Sequence, residues 1–299
     1  LLGAWELGGE TGLGGQATVS RARHATLGRH AAVKLVRRAV WADPAFRLRF
    51  ERECDALASL DHPNIIPVLD AGEADGRGYL VMRLARYGSL ADRLRAGAVP
   101  ADEALRLLGA VADALDAVHA AGHVHRDVTP ANTLLDAERG PWLGDFGLAR
   151  RIDATAATRD GILVGTAAYL APEGIAGGRA GPESDRYALA AVAYHVLTGR
   201  VPFGAPDVAG VLYGHLHRDP PPVTALRPGL PSALDSAFAA GLAKRPDRRP
   251  PTAGALVDEV DMIQTQPIRA ATAAPSSRAE TGSAALPGNP RQAQTRPGA

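Results

Sequence analysis

The sequence predicts an α+β fold of two lobes, a mostly β lobe followed by a mostly α lobe. Three observations predict it. Short alternating segments fill the first forty or so residues, as in Ala17-Thr18-Val19-Ser20 and Ala31-Ala32-Val33-Lys34-Leu35-Val36. One helix interrupts them, opened by Asp43-Pro44 as an N-cap and a first-turn proline. From Pro100 onward the apolar spacing is helical.

In order along the chain, the strands run from about 4 to 42, and the first helix continues to about Leu60, before His62-Pro63. Ile65 to Leu69 and Tyr79 to Leu84 read as two more strands. A helix after Pro100 carries Leu105, Leu108, Ala112, Leu115 and Val118 on one side and ends at Gly122. Ser184 to Thr198 is apolar nearly all round, the pattern of a buried central helix. Further helices are expected near Ala209 to His217, Ala233 to Ala243 and Ala253 to Ile263. From about Gln266 large apolar residues nearly vanish among Pro, Ala, Ser, Thr and Gly. The expected division is a β-rich lobe over 1–84, an α-rich lobe over 85–265 and a disordered tail or linker over 266–299.

Composition narrows the function. A net charge of +1 argues against binding nucleic acid or membrane surfaces by charge. Cys54 is the only cysteine, which excludes an intrachain disulfide and a thiolate zinc cluster and fits a reducing, cytoplasmic setting. No stretch has the roughly 20 apolar residues needed to span a bilayer. No signal peptide is expected at the start of this sequence, and Leu1 in place of Met suggests that the natural N-terminus is missing.

The glycine-rich turn Gly12-Leu13-Gly14-Gly15-Gln16-Ala17 suits close approach of backbone N–H groups to phosphate oxygens, although by itself it equally marks a hairpin. Lys34 says more. The chain has two lysines, Lys34 and Lys244, among many arginines, so a lysine inside an apolar strand suggests a need for a compact ammonium. Glu53 lies on the apolar face marked by Phe46, Phe50 and Leu57, where a carboxylate needs a partner; Lys34 is the expected one. Then His125-Arg126-Asp127-Val128-Thr129-Pro130-Ala131-Asn132 and Asp145-Phe146-Gly147 crowd polar groups between apolar segments. Asp127, Asn132 and Asp145 are the residue types that phosphoryl transfer requires: a carboxylate to orient a hydroxyl, and two oxygen ligands for Mg²⁺.

With Ala171-Pro172-Glu173 added, these motifs resemble those of the bacterial, eukaryotic-type (Hanks-type) serine/threonine protein kinases, from about residue 5 to 263. The resemblance implies a bilobal protein-kinase-like fold with an ATP cleft between the lobes. It implies transfer of the γ-phosphoryl of Mg-ATP, with Mn²⁺ able to replace Mg²⁺, to serine and threonine on proteins. Lys34 is then expected to hold the α/β-phosphates and pair with Glu53, Asp127 to act as base, and Asn132 and Asp145 to ligate the metal. Gly12, Gly14, Gly15 and Ala17 are expected over the phosphates, Val19, Ala32 and Leu134 around the adenine, and Met82 as gatekeeper. The backbones of Arg83 and Ala85 are expected at the adenine edge, Thr166 beside the base, Asp185 bracing the loop, and Glu173 paired with Arg249. Thr158, with Thr155 second, is the expected autophosphorylation site, held by Arg126.

The pattern departs at Thr129, where such kinases usually carry a lysine; that keeps a catalytically silent, nucleotide-binding scaffold as the alternative. A small-molecule kinase fits less well, because Ala171-Pro172-Glu173 with Arg249 builds a peptide-docking platform. Relatives of this kind often continue into a membrane helix. The chain is therefore expected in the cytoplasm, by itself or as the cytoplasmic part of an anchored protein.

Overall fold

A computed structural model describes residues 2–13, 15–136, 140–145 and 166–265. Five antiparallel strands open the chain: β1 (Trp5–Leu13), β2 (Ala17–His24), β3 (His30–Val36), β4 (Val68–Ala74) and β5 (Arg77–Arg83), in spatial order β1-β2-β3-β5-β4. The two faces of β3 separate cleanly. Ala31, Val33 and Leu35 bury against Trp5, Ala22, Tyr79 and Val81, which leaves Ala32 and Lys34 on the opposite face. The strand expected at Ile65 begins at Val68 instead. Ile65 and Ile66 are buried and reach the other lobe, Ile65 bridging to Leu143 and the Ile66 N–H donating to the Leu143 carbonyl.

Between β3 and β4 run α1 (Arg38–Trp41) and α2 (Pro44–Ser59). The α2 start follows the sequence signal: Asp43 Oδ1 accepts from the Ala45 N–H at 2.9 Å, with Pro44 at the first position. Phe46, Phe50, Cys54 and Leu57 bury its inner face. The single turn of α1, which the sequence pattern did not signal, buries Trp41 against Phe46 and Phe50.

The second lobe is helical. It contains α3 (Leu90–Arg95), α4 (Ala101–Ala120), the hairpin β6 (Thr133–Asp136)–β7 (Gly140–Leu143), α5 (Pro172–Ile175), α6 (Pro182–Thr198), α7 (Val208–His217), α8 (Val223–Leu226), α9 (Ala233–Gly241) and α10 (Ala253–Thr265). Leu107, Leu108, Val111, Leu115 and Val118 are buried on α4, and Leu105 sits half-buried at the edge of that face. Gly122 leaves the helix at φ +79°, a conformation that suits glycine. In α6 every residue from Ser184 to Tyr194 is buried, as expected of a central helix. Among the described residues, no helix is long and apolar enough to cross a membrane. Residues 266–299, the expected tail, lie outside the described residues.

One carboxylate joins α4 to α10. Asp116 accepts from the Ala253 and Gly254 N–H groups, both at 2.8 Å, where the start of α10 exposes unpaired donors. Asp116→Ala is expected to cost about 2 kcal/mol in urea denaturation, and Asp116→Asn roughly half that. A loss under about 0.5 kcal/mol for the alanine variant would show that water satisfies those donors equally well.

Candidate active site

The upper wall comes from the sheet. Val19 stands opposite Lys34, and Ala32 opposite Met82, on neighbouring strands. Met82 is buried, while Val19, Ala32, Arg83 and Ala85 are half-buried. The Arg83 N–H donates to the Pro67 carbonyl at 3.0 Å, which fixes the backbone where the chain leaves the sheet. Gly12 pairs with Val19 at the closed end of the β1–β2 ladder, Gly15 is exposed in the turn, and Ala17 is buried opposite Val36. Gly14 lies outside the described residues. Below, Leu134 is half-buried on the hairpin against the main core. A methyl built at Gly144 would come within 3.1 Å of it, so the chain approaches closely there.

The loop carrying Asp127 hangs from α6. Asp185, almost fully buried, accepts from the His125 N–H at 2.8 Å, the Arg126 N–H at 2.7 Å and His119 Nε2 at 2.8 Å. These three donors offset the cost of burying its charge. They also hold Arg126 at φ +66°, a left-handed conformation that needs such support in a residue with a side chain. His125 spans the loop: Nδ1 accepts from the Asp127 N–H at 3.2 Å and Nε2 donates to the Gly144 carbonyl at 3.0 Å. Asn132 closes it, Nδ2 donating to the Asp127 carbonyl at 2.8 Å and to Asp127 Oδ2 at 2.9 Å. The Gly144 N–H returns to the Asn132 carbonyl at 2.9 Å, so Asp127, Asn132 and the residue before Asp145 are tied together.

Lys34 departs from its expected partner. Its Nζ ion-pairs with Asp145 Oδ1 across the lobes. Glu53 makes no ion pair with it among the described residues, and Glu53 Oε2 is buried without a hydrogen-bond partner. The sequence placed Glu53 correctly on the buried stripe of α2. Which carboxylate Lys34 meets depends on how far that helix lies from β3, and side-chain spacing along one helix does not specify this. Burial raises the Glu53 pKa from its ordinary 4.5 to about 7; the positive charges of Arg126, Lys34 and Arg49 oppose the shift and Asp145 adds to it.

This has a measurable consequence. A carboxyl raised in the folded state keeps its proton to higher pH than in the unfolded chain. Stability from this group is therefore unaffected below about pH 4.5, falls as pH rises through that value, and levels off above about pH 7. After allowance for solvent screening the penalty is about 2 kcal/mol. Glu53→Gln is expected to stabilise the protein by about that amount at pH 8 in urea denaturation and by little at pH 5. Equal effects at both pH values would exclude charge burial as the cause.

Thr129, buried, heads a one-turn 3₁₀ segment, Pro130–Asn132. Its Oγ1 accepts from the Asn132 N–H at 3.3 Å and its carbonyl accepts from Thr133 Oγ1 at 3.2 Å. Here the threonine orders Asn132. Thr166 lines a cavity of about 530 Å³ together with Arg126, Asp127, Thr129 and Tyr169. Glu173 and Arg249 form the expected pair, two parallel bonds of 2.7 and 2.8 Å. Phe146, Gly147, Thr155 and Thr158 lie outside the described residues. The sequence reading missed His119, a helix-end histidine with no motif around it. It also missed Arg52 and Arg179, which line a second cavity with Glu53 and Arg126.

A five-stranded antiparallel sheet over a helical lobe, with a lysine from the sheet meeting an aspartate beside a carboxylate–amide loop, is the architecture of the protein kinase fold. Comparison with known proteins agrees. The protein kinase domain model matches residues 5–225, and the chain belongs to the protein kinase family. It is 41% identical over 249 residues to the serine/threonine-protein kinase PknJ of Mycobacterium tuberculosis, covering 81% of this chain and 42% of that protein. It is 37% identical over 266 residues to PknB of Mycobacterium leprae, covering 87% and 42%. The chain thus spans less than half the length of these curated relatives. The crystal structure of the Mycobacterium tuberculosis PknI kinase domain superposes with a TM-score of 0.70 at 30% identity, covering 88% of this chain and 97% of that one.

Proposed function

We propose that the protein is a serine/threonine protein kinase that transfers the γ-phosphoryl of ATP to hydroxyls on proteins, itself included. The observation that carries the reading is the tie between Asp127 and Asn132, with Lys34 meeting Asp145 from the other lobe. A silent scaffold is the less favoured reading: the curated relatives are named serine/threonine-protein kinases, and Thr129 is occupied in ordering Asn132.

The donor set suits Mg²⁺. With its Nδ2 committed to Asp127, Asn132 presents Oδ1 as its remaining polar atom, and Asp145 adds carboxylate oxygens. Among the described residues no cluster of three or more His, Cys, Asp or Glu forms a cage, which suits an ion held largely by phosphate and water. When bound, Mg²⁺ neutralises charge on the transferring phosphate. Asn132 and Asp145 are assigned to hold it, with Mn²⁺ as a substitute. Lys34 holds the α/β-phosphates, released from Asp145 and paired with Glu53. Gly12, Gly14, Gly15 and Ala17 cover the phosphates. Val19, Ala32, Met82, Leu134 and the backbones of Arg83 and Ala85 enclose the adenine. Asp127 orients the acceptor hydroxyl and takes its proton, with Thr166 beside it and Thr129 ordering the loop.

We assign residues 1–84 to the N-lobe, 85–265 to the C-lobe and 266–299 to a linker. Thr158, then Thr155, is the proposed autophosphorylation site, and the cytoplasm the proposed compartment. Incubation of the purified chain with labelled ATP, Mg²⁺ and a generic protein acceptor tests the reading, with Asp127→Asn as the blank. Label on serine and threonine that disappears in the blank supports it. No transfer by the wild-type chain, with or without Mn²⁺, would overturn it.

A further inference from the structure

We propose that Trp41, seated against Gly78, is a positioning residue that sets where α2 holds Glu53 relative to Lys34; the inference rests on the kinase reading above and adds a residue to it. Trp41 is 3% exposed. Its ring meets Phe50 edge-on at 5.3 Å and Phe46 at 6.4 Å between centroids, and both phenylalanines lie on the inner face of α2. Glu53 follows Phe50 by one helical turn on that face.

The other side of the ring rests on the sheet. A methyl built at Gly78 would lie 2.2 Å from a Trp41 ring carbon, with two more ring atoms at 2.5 and 2.6 Å, so no side chain fits at position 78 while the ring keeps its depth. Gly78 has an ordinary requirement for space rather than for a left-handed backbone, since it is not among the glycines with positive φ. Alternation along β5 puts Gly78, Leu80 and Met82 on one face. Leu80 and Met82 share the main core with Trp41, Phe46, Phe50 and Leu57, and Leu80 stands opposite Lys34. The ring is thus a spacer between α2 and the strand beside Lys34.

No hydrogen bond from the indole sets its depth. Trp41 Nε1 is buried with no hydrogen-bond partner among the described residues, although a buried indole N–H usually finds one. The backbone and the ring's face are tied to α2 instead: Arg47 Nε donates to the Trp41 carbonyl at 2.6 Å and the guanidinium lies over the ring, 5.4 Å from its centre. A ring displaced at Gly78 therefore moves α1 and the first turns of α2 together.

The test is a four-protein cycle: wild type, Gly78→Ala, Trp41→Leu and the double variant, assayed for kcat and KM well below the lowest melting temperature. Gly78→Ala is expected to lower kcat about ten- to a hundredfold with the acceptor KM within about twofold, as small misplacements of catalytic groups do. In the double variant the smaller leucine makes room for the methyl and is expected to recover at least about tenfold of that loss. A Gly78→Ala enzyme with wild-type kcat and only a lower melting temperature overturns the proposal, as does a double variant with no recovery. Glu53→Gln in the same assay tests the second link, and a wild-type kcat there also overturns it. Transfer abolished by Asp127→Asn would still uphold the kinase reading in each of those cases; transfer undiminished by Asp127→Asn would overturn both.

Discussion

Asp127→Asn is expected to lower kcat by about 10²- to 10⁴-fold with the fold intact. The substitution keeps the shape and one side-chain oxygen. The bond from Asn132 Nδ2 to the side chain at 127 can persist, and the bond to the backbone carbonyl is untouched. The supports from Asp185 and His125 reach backbone N–H groups, so they do not depend on the charge at 127. What disappears is the group proposed to take a proton from the acceptor hydroxyl as the phosphoryl bond forms. The KM for ATP is expected within about threefold of wild type, because the removed group acts on the acceptor side. Initial rates with labelled ATP, beside thermal melts of both proteins, check this. A variant retaining more than about a tenth of the wild-type rate would remove Asp127 from the role of base.

The contacts legible in the sequence are those whose two ends each carry a strong local reason. Asp43-Pro44 announces a helix start in two residues, and the cap bond is there. Asp185 and Glu173 were expected to be partnered because the resemblance to kinase motifs implies it, and each has its donors. Less legible were elements made by tertiary packing. The α1 turn exists because Trp41 finds a slot over Gly78, and a four-residue helix leaves no periodicity to detect. The β6–β7 hairpin is equally short and is held by the burial of Trp142 and Leu143 and by the Ile65 bridge. In the site itself, residue types were readable while partners were not. Lys34 has two carboxylates in prospect, and the choice between Asp145 and Glu53 belongs to the position of α2 rather than to any motif. His119 could not be found because a histidine at a helix end has many uses.

The Glu173–Arg249 pair sets the largest expected effect on stability. The Arg249 side chain is fully buried, and the two guanidinium nitrogens meet the two carboxylate oxygens. Every remaining capacity is used: Arg249 also donates to the carbonyls of Ala243, Glu183 and Lys244, stacks 4.8 Å from the Tyr187 ring centre, and Ser184 Oγ donates to Glu173. Burial pushes the Glu173 carboxyl up, but the hydrogen bonds from Arg249 and Ser184 outweigh it and hold the pKa below its ordinary value. A depressed carboxyl contributes stability above its unfolded pKa and loses it as pH falls through the folded one. Arg249→Met leaves that charge buried beside one hydroxyl, so it is expected to cost about 3–5 kcal/mol at pH 7. The orphaned carboxyl then takes up a proton more readily, so the cost is expected to shrink as pH falls below 5. Adding Glu173→Gln removes the charge and is expected to restore more than half of the loss, because the desolvation penalty rather than the attraction dominates a broken buried pair. Urea denaturation of the wild type and the two variants at about pH 7 and about pH 4 decides the matter. A single-variant cost under about 1 kcal/mol, or a double variant no better than Arg249→Met, would mean that water reaches the carboxylate and that the pair is not the brace between α5 and the segment before α10.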